Sequence, residues 1–144
     1  MSPGVAALLV AVAATLLGGA VWKARQGKVR TNNGGENVTA LLPEALRQRL
    51  DDAPDAAVTL LQLSTTFCAP CRHTRILLSD FAQRTDGVRH VEVDLTDHPE
   101  WSTPLRVHTT PTTLVLDARG RELFRISGVP NRTDLTAALQ PHLV

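Results

Sequence analysis

Apolar and polar positions change rhythm several times along this 144-residue chain, and each rhythm predicts an element. Residues 1–22 carry no charged side chain, and Pro3 to Trp22 is a single apolar run of 20 residues. A helix needs roughly 20 such residues to cross a bilayer, so a transmembrane anchor is expected over residues 1–22. Beyond it, Leu42, Leu46 and Leu50 recur every fourth position, which with Pro43 at an early position predicts a helix to about Asp52. Ala56 to Leu63 is almost continuously apolar, as in a strand covered on both faces. Ile76, Leu77, Leu78 and Phe81 predict a helix that begins near Cys68 and stops before Asp86-Gly87. Val91, Val93 and Leu95 alternate with His90, Glu92 and Asp94 in a further strand, and His98 to about Leu105 reads as a short helix. Thr112–Leu116 and Glu122–Ile126 form two strands joined by Asp117-Ala118-Arg119-Gly120, a connection short enough for an antiparallel hairpin. Leu135, Leu139 and Leu143 mark a closing helix. Strand, helix, strand, helix, hairpin, helix is the order of an α/β domain with a mixed sheet and helices on both faces.

The charge distribution separates the chain into parts. Lys23, Arg25, Lys28 and Arg30 follow the apolar run at once, while the other 11 Lys/Arg face 14 Asp/Glu, leaving residues 31–144 with a formal charge of −3. The overall +1 therefore gives no basic surplus in the folded part, and no nucleic-acid partner is expected. Thr31-Asn32-Asn33-Gly34-Gly35-Glu36 is polar and glycine-rich. Residues 23–36 accordingly read as a basic juxtamembrane segment and flexible linker, and residues 37–144 as the domain. A cleaved signal peptide is the alternative to an anchor, and Ala11-Val12-Ala13 resembles a cleavage site. No basic residue precedes the run, however, and the run exceeds the 7–15 residues of a signal h-region. The basic flank places the domain in the cytoplasm by the positive-inside rule, with the extracytoplasmic orientation as the alternative. Asn37-Val38-Thr39 and Asn131-Arg132-Thr133 match a glycosylation pattern too short to carry weight.

The chemistry lies in Cys68-Ala69-Pro70-Cys71, which holds both cysteines of the chain. Residues three apart share one helix face, close to the roughly 5.5 Å Cα separation that a disulfide prefers. A cysteine at a helix N-terminus meets unpaired N–H groups and the positive end of the helix dipole, which bring such thiols to pKa values of roughly 3.5–7.5. Cys68 is therefore expected to be the attacking sulfur and Cys71 its partner, with Pro70 in the first helical turn, where its missing N–H costs little. A purely structural staple would close too short a loop to remove much unfolded-state entropy. A zinc half-site would need two more ligands, and the histidines at 73, 90, 98, 108 and 142 show no paired spacing, so no metal is expected.

With these motifs in place, the chain from about Asn37 onward resembles the thioredoxin family. Phe67-Cys68-Ala69-Pro70-Cys71-Arg72 is similar to that family's aromatic-Cys-Gly-Pro-Cys-basic motif, Thr110-Pro111-Thr112 to its cis-proline loop, and Gly128 to the glycine after its last strand. The resemblance implies a thioredoxin-like three-layer fold and a thiol-disulfide oxidoreductase, most simply a disulfide reductase. It also implies that Pro111 is cis, with the backbone near Thr110 left to pair with an extended substrate beside Cys68. Phe67, Ala69, Pro70, Thr110 and Pro111 would shape that groove. The implied partners are protein thiols or disulfides and a thiol electron donor, and no cofactor beyond the Cys68–Cys71 disulfide is expected. The alternatives are an extracytoplasmic disulfide-exchange or cytochrome-maturation protein and a non-catalytic interaction module of the same fold. This sequence departs from the family at three positions, the first being Phe67 in place of the Trp before the motif. The buried Asp six residues before the first Cys is Gln62 here, and the nearby buried Lys aligns with His90, so Gln62 and His90 are the candidates for proton transfer.

Overall fold

The computed structural model describes residues 2–31, 42–52 and 56–143. Helix α1 (Pro3–Arg25) contains the whole apolar run; no residue in it is buried, and Lys23 and Arg25 in its last turn complement the helix dipole. Strand β1 (Val29–Thr31) follows, then α2 (Glu44–Asp51), β2 (Val58–Ser64), α3 (Ala69–Arg84), β3 (Val88–Asp94), β4 (Thr112–Asp117), β5 (Glu122–Ser127) and α4 (Arg132–Leu139). The five strands form one mixed sheet in the order β1-β5-β4-β2-β3. β2 lies parallel to β3 and antiparallel to β4, which explains its unbroken apolar sequence: all seven of its residues are buried.

Alternation along β2 and β4 sends side chains to two cores. Leu61, Leu63, Leu114 and Leu116 pack with Leu42, Leu46, Val93, Leu95, Trp101 and Leu105 on one face of the sheet. Leu60, Val58 and Val115 pack with Leu78 and Phe81 of α3 and Leu135 and Leu139 of α4 on the other. Asn131, within one of the two glycosylation-like triplets, caps α4 by accepting hydrogen bonds from the N–H groups of Thr133 (2.8 Å) and Asp134 (3.4 Å). Asn37, in the other, lies outside the described residues.

Three expectations shift. The helix expected from His98 to Leu105 is a single 3₁₀ turn, Pro99–Trp101, because Pro104 removes an N–H and biases Thr103 away from helix. Trp101 is buried there and stacks on His98 with ring centroids 3.8 Å apart. The closing helix likewise ends at Leu139 and gives way to a 3₁₀ turn, Gln140–His142, at Pro141. The third shift falls in the segment expected to be a linker. Val29–Thr31 pairs antiparallel with Phe124–Ile126 and covers the β5 edge of the sheet, so the sheet takes in residues ahead of position 37.

The turn between α1 and β1 requires Gly27. Its φ is +73°, and a Cβ there would sit 2.5 Å from the Val129 carbonyl oxygen. Gly27→Ala is expected to destabilise the chain by at least about 1–2 kcal/mol, the cost of the left-handed conformation alone, read as a lower urea midpoint in detergent. Gly19→Ala, where a Cβ meets nothing within 4 Å, should leave that midpoint unchanged.

Candidate active site

β2 ends at Ser64, and the chain turns directly into α3. The turn is fixed by three hydrogen bonds: Leu95 N–H to the Ser64 carbonyl (2.8 Å), Thr66 N–H to Thr96 Oγ1 (3.0 Å) and Thr66 Oγ1 to Asp94 Oδ2 (3.0 Å). Cys68 then takes the N-cap position of α3, with extended backbone, and its Sγ accepts a hydrogen bond from the Cys71 N–H at 3.2 Å. Pro70 occupies the first helical turn, where a missing N–H leaves no bond unmade. Cys68 and Cys71 are joined as a disulfide with Cα atoms 5.2 Å apart. The sulfurs differ in access: Cys71 is buried, whereas Cys68 is half-exposed and flanked by the exposed apolar side chains of Phe67, Ala69 and Pro70.

Opposite the disulfide stands the loop before β4. The Thr110–Pro111 bond is cis, the Pro111 carbonyl accepts from Gly128 N–H at 2.8 Å, and Thr110 Oγ1 meets Thr65 Oγ1 at 3.2 Å. Among the described residues, no backbone hydrogen bond engages the Thr110 N–H or C=O, which leaves both for an incoming extended segment. Pro70, Thr110 and Pro111 line a cleft of about 460 Å³ together with Ser127, Gly128 and Val129. Thr109 also lines it, as do Trp22, Arg25 and Gln26, three residues that no local pattern placed near the cysteines.

Beneath the cysteines lies a neutral polar chain. Gln62 is fully buried, and its amide Nε2 donates to the Cys71 carbonyl (2.9 Å) and to Ser64 Oγ (3.0 Å). Its Oε1 lies 2.9 Å from His90 Nε2, which makes that ring nitrogen the donor; Nδ1, 3.3 Å from Ser79 Oγ, is then the acceptor. The two candidates for proton transfer are thus bonded to each other, and Gln62 reaches the cysteine turn through its backbone. Ser64 and Ser79, which complete the chain, could not be picked from sequence, since a lone serine on a strand or helix carries no signal. Thr74 and Thr113 add two buried hydroxyls without a protein hydrogen-bond partner on this same face of the sheet. Burial holds the His90 pKa below its ordinary 6.5; Glu92 opposes this and Arg75, which pairs with Glu92 from α3, reinforces it.

The comparisons with known proteins agree with this geometry. The Thioredoxin family model matches residues 37–141. The chain belongs to the thioredoxin family. A thioredoxin of Staphylococcus saprophyticus is 24% identical over 94 residues, covering 65% of this chain and 89% of that protein. Among solved structures, a thioredoxin from Nicotiana alata aligns with a TM-score of 0.60 at 17% identity, covering 72% of this chain and 90% of that one. The Fasciola hepatica thioredoxin aligns at 0.57 and 23% identity, covering 67% and 90%. At these identities the structural likeness shows the fold, and the thioredoxin domain with its paired cysteines makes the chain a thiol-disulfide oxidoreductase. In this thioredoxin domain the cysteine turn rests on an amide and an imidazole, where the family usually has an acid and a lysine.

The Gln62–His90 pair predicts a pH dependence with a definite sign. Because the folded pKa of His90 lies below the unfolded value of 6.5, the unfolded chain takes up a proton first as the pH falls. Stability should therefore decline from about pH 6.5 downward until the folded pKa is passed, with a slope of at most one proton. In His90→Asn this component should vanish from urea unfolding between pH 7.5 and 5.5. Gln62→Glu should reverse it, because a carboxylate against Nε2 favours the imidazolium. That variant should also cost about 1–3 kcal/mol at neutral pH through the lost donor to Cys71.

Proposed function

We propose that this chain is a membrane-tethered disulfide reductase, with α1 retained as its anchor and the thioredoxin domain on the cytoplasmic side. The asymmetry of the two sulfurs carries the catalytic part: Cys68 is accessible at a helix N-terminus and Cys71 is buried behind it. In the reduced enzyme, the Cys68 thiolate attacks one sulfur of a substrate disulfide, forming a mixed disulfide and expelling the other sulfur as a thiolate. Cys71, as thiolate, then attacks Cys68 Sγ. The mixed disulfide breaks, the Cys68–Cys71 disulfide forms, and two electrons leave with the substrate thiols. A thiol protein returns two electrons to the pair. The dithiol is the redox group, and this cycle requires no metal or organic cofactor.

The anchor is supported by the apolar surface of α1, in which no residue is buried, and by the basic flank that begins at Lys23. That flank also supports the cytoplasmic side.

Cys68→Ser should abolish insulin disulfide reduction. Cys71→Ser should leave the first attack intact and accumulate mixed disulfides, visible as thiol-sensitive adducts on non-reducing gels. Trapping by Cys68→Ser in place of Cys71→Ser would reverse the two roles.

For topology, a C-terminal alkaline phosphatase fusion should be inactive and the mature chain should keep its first 13 residues. An active fusion would place the domain outside, where disulfide exchange or cytochrome maturation becomes the better reading. A chain shortened at Ala13 would replace the anchor by a signal peptide.

A further inference from the structure

The outer wall of the active-site cleft belongs to the apolar helix and not to the thioredoxin domain. Trp22 and Arg25 line it together with Pro70, Pro111 and Val129. The junction between helix and domain is short and closely held. Only Gln26, Gly27 and Lys28 separate α1 from β1, and the Gly27 N–H donates to the Ser127 carbonyl at 2.7 Å. A Cβ on Gly128 would meet Cβ of Gln26 at 3.5 Å, so the end of α1 packs directly on the corner that follows β5. The rest of α1 leaves the domain with its apolar side chains exposed, Leu16, Leu17, Val21 and Trp22 among them.

This arrangement fixes the height of the cleft above a membrane, given the anchor reading above, on which the inference rests. A tryptophan closing an apolar span sits at the headgroup level. Arg25 is three residues further along the helix, a rise of about 4.5 Å. The mouth of the cleft, lined by both, therefore opens at the bilayer surface. A folded soluble protein must bring its disulfide into a groove backed by lipid. A segment that emerges from a neighbouring transmembrane span is already at that height, and sharing the same surface raises its effective concentration.

We propose that the preferred substrates are disulfides in the extended segments that directly flank transmembrane spans of other membrane proteins. Such a segment would run between the Thr110 backbone and the Trp22–Arg25 wall, with its disulfide presented to Cys68. The exchange is the one described above: the substrate S–S bond breaks, a bond to Cys68 forms, and Cys71 resolves it as the substrate leaves with two electrons.

The test uses the full chain as Cys71→Ser, reconstituted in phosphatidylcholine vesicles with synthetic single-span peptides. Each peptide carries one disulfide loop, either directly at the span or beyond a Gly/Ser spacer of about 30 residues, whose average reach is roughly 30 Å. Mixed disulfide should form at least about tenfold faster with the proximal loop. Inserting a Gly/Ser spacer of about 20 residues between Arg25 and Gln26 should bring the ratio of the two rates towards one. Equal rates for both peptides, in a chain that resists alkaline carbonate extraction, would overturn the proposal and leave the anchor standing. A ratio that survives the inserted spacer would overturn the part given to Trp22 and Arg25. A chain that carbonate strips from the vesicles would overturn the anchor and the proposal with it.

Discussion

A sulfur stands where a helix ordinarily places an oxygen. The first N–H groups of any α-helix lack intrahelical partners, and the residue before the helix commonly supplies an oxygen acceptor to one of them. In α3 that acceptor is Cys68 Sγ, which receives the Cys71 N–H. The same placement that caps the helix aims the helix dipole at the sulfur and sets Cys71 one turn away on the same face. Everything else serves to hold that turn. β2 delivers it from a buried position between two neighbours, and Thr66 ties it to Asp94 and Thr96 at the end of β3. The cis Thr110–Pro111 loop faces it from the start of β4.

Under the turn, this thioredoxin domain uses uncharged groups. Gln62 meets its hydrogen-bonding needs with the Cys71 carbonyl, Ser64 and His90, so the buried amide links sheet and helix without the desolvation cost of an ion. A neutral amide is no proton acceptor for Cys71, and the imidazole that backs it is engaged at both nitrogens. The Gln62–His90 pair ties the cysteine turn to β2 and β3 through hydrogen bonds. Burial disfavours the charged form of its one titratable member.

The junction with α1 changes what the domain can meet. An exposed β5 edge would be a template for pairing with other chains. Here Val29–Thr31 occupies it, and the same three residues bind the apolar helix to the domain at a close-packed corner built on Gly27 and Gly128. Covering the β5 edge and joining the apolar helix to the domain are one structural device. Its by-product is the Trp22–Arg25 wall beside the redox site.

Much of this molecule was written in local sequence. The apolar run, the buried strand Val58–Ser64, the hairpin around Asp117–Gly120 and the Cys-Ala-Pro-Cys turn each follow from periodicity or spacing over a few residues, where backbone geometry and burial act directly. The resemblance carried by Thr110-Pro111 and Gly128 extended that reading to the whole domain. Beyond that hairpin, local sequence did not determine which strands became neighbours. Val29–Thr31 is three residues long, too short for a pattern, and joins the sheet only because β5 offers it an open row of N–H and C=O groups. The bonds from Gln62 to His90 and Cys71, and the cleft that Trp22 and Pro111 line together, join residues far apart in the chain. Such contacts depend on how the layers stack, and only the tertiary structure decided them.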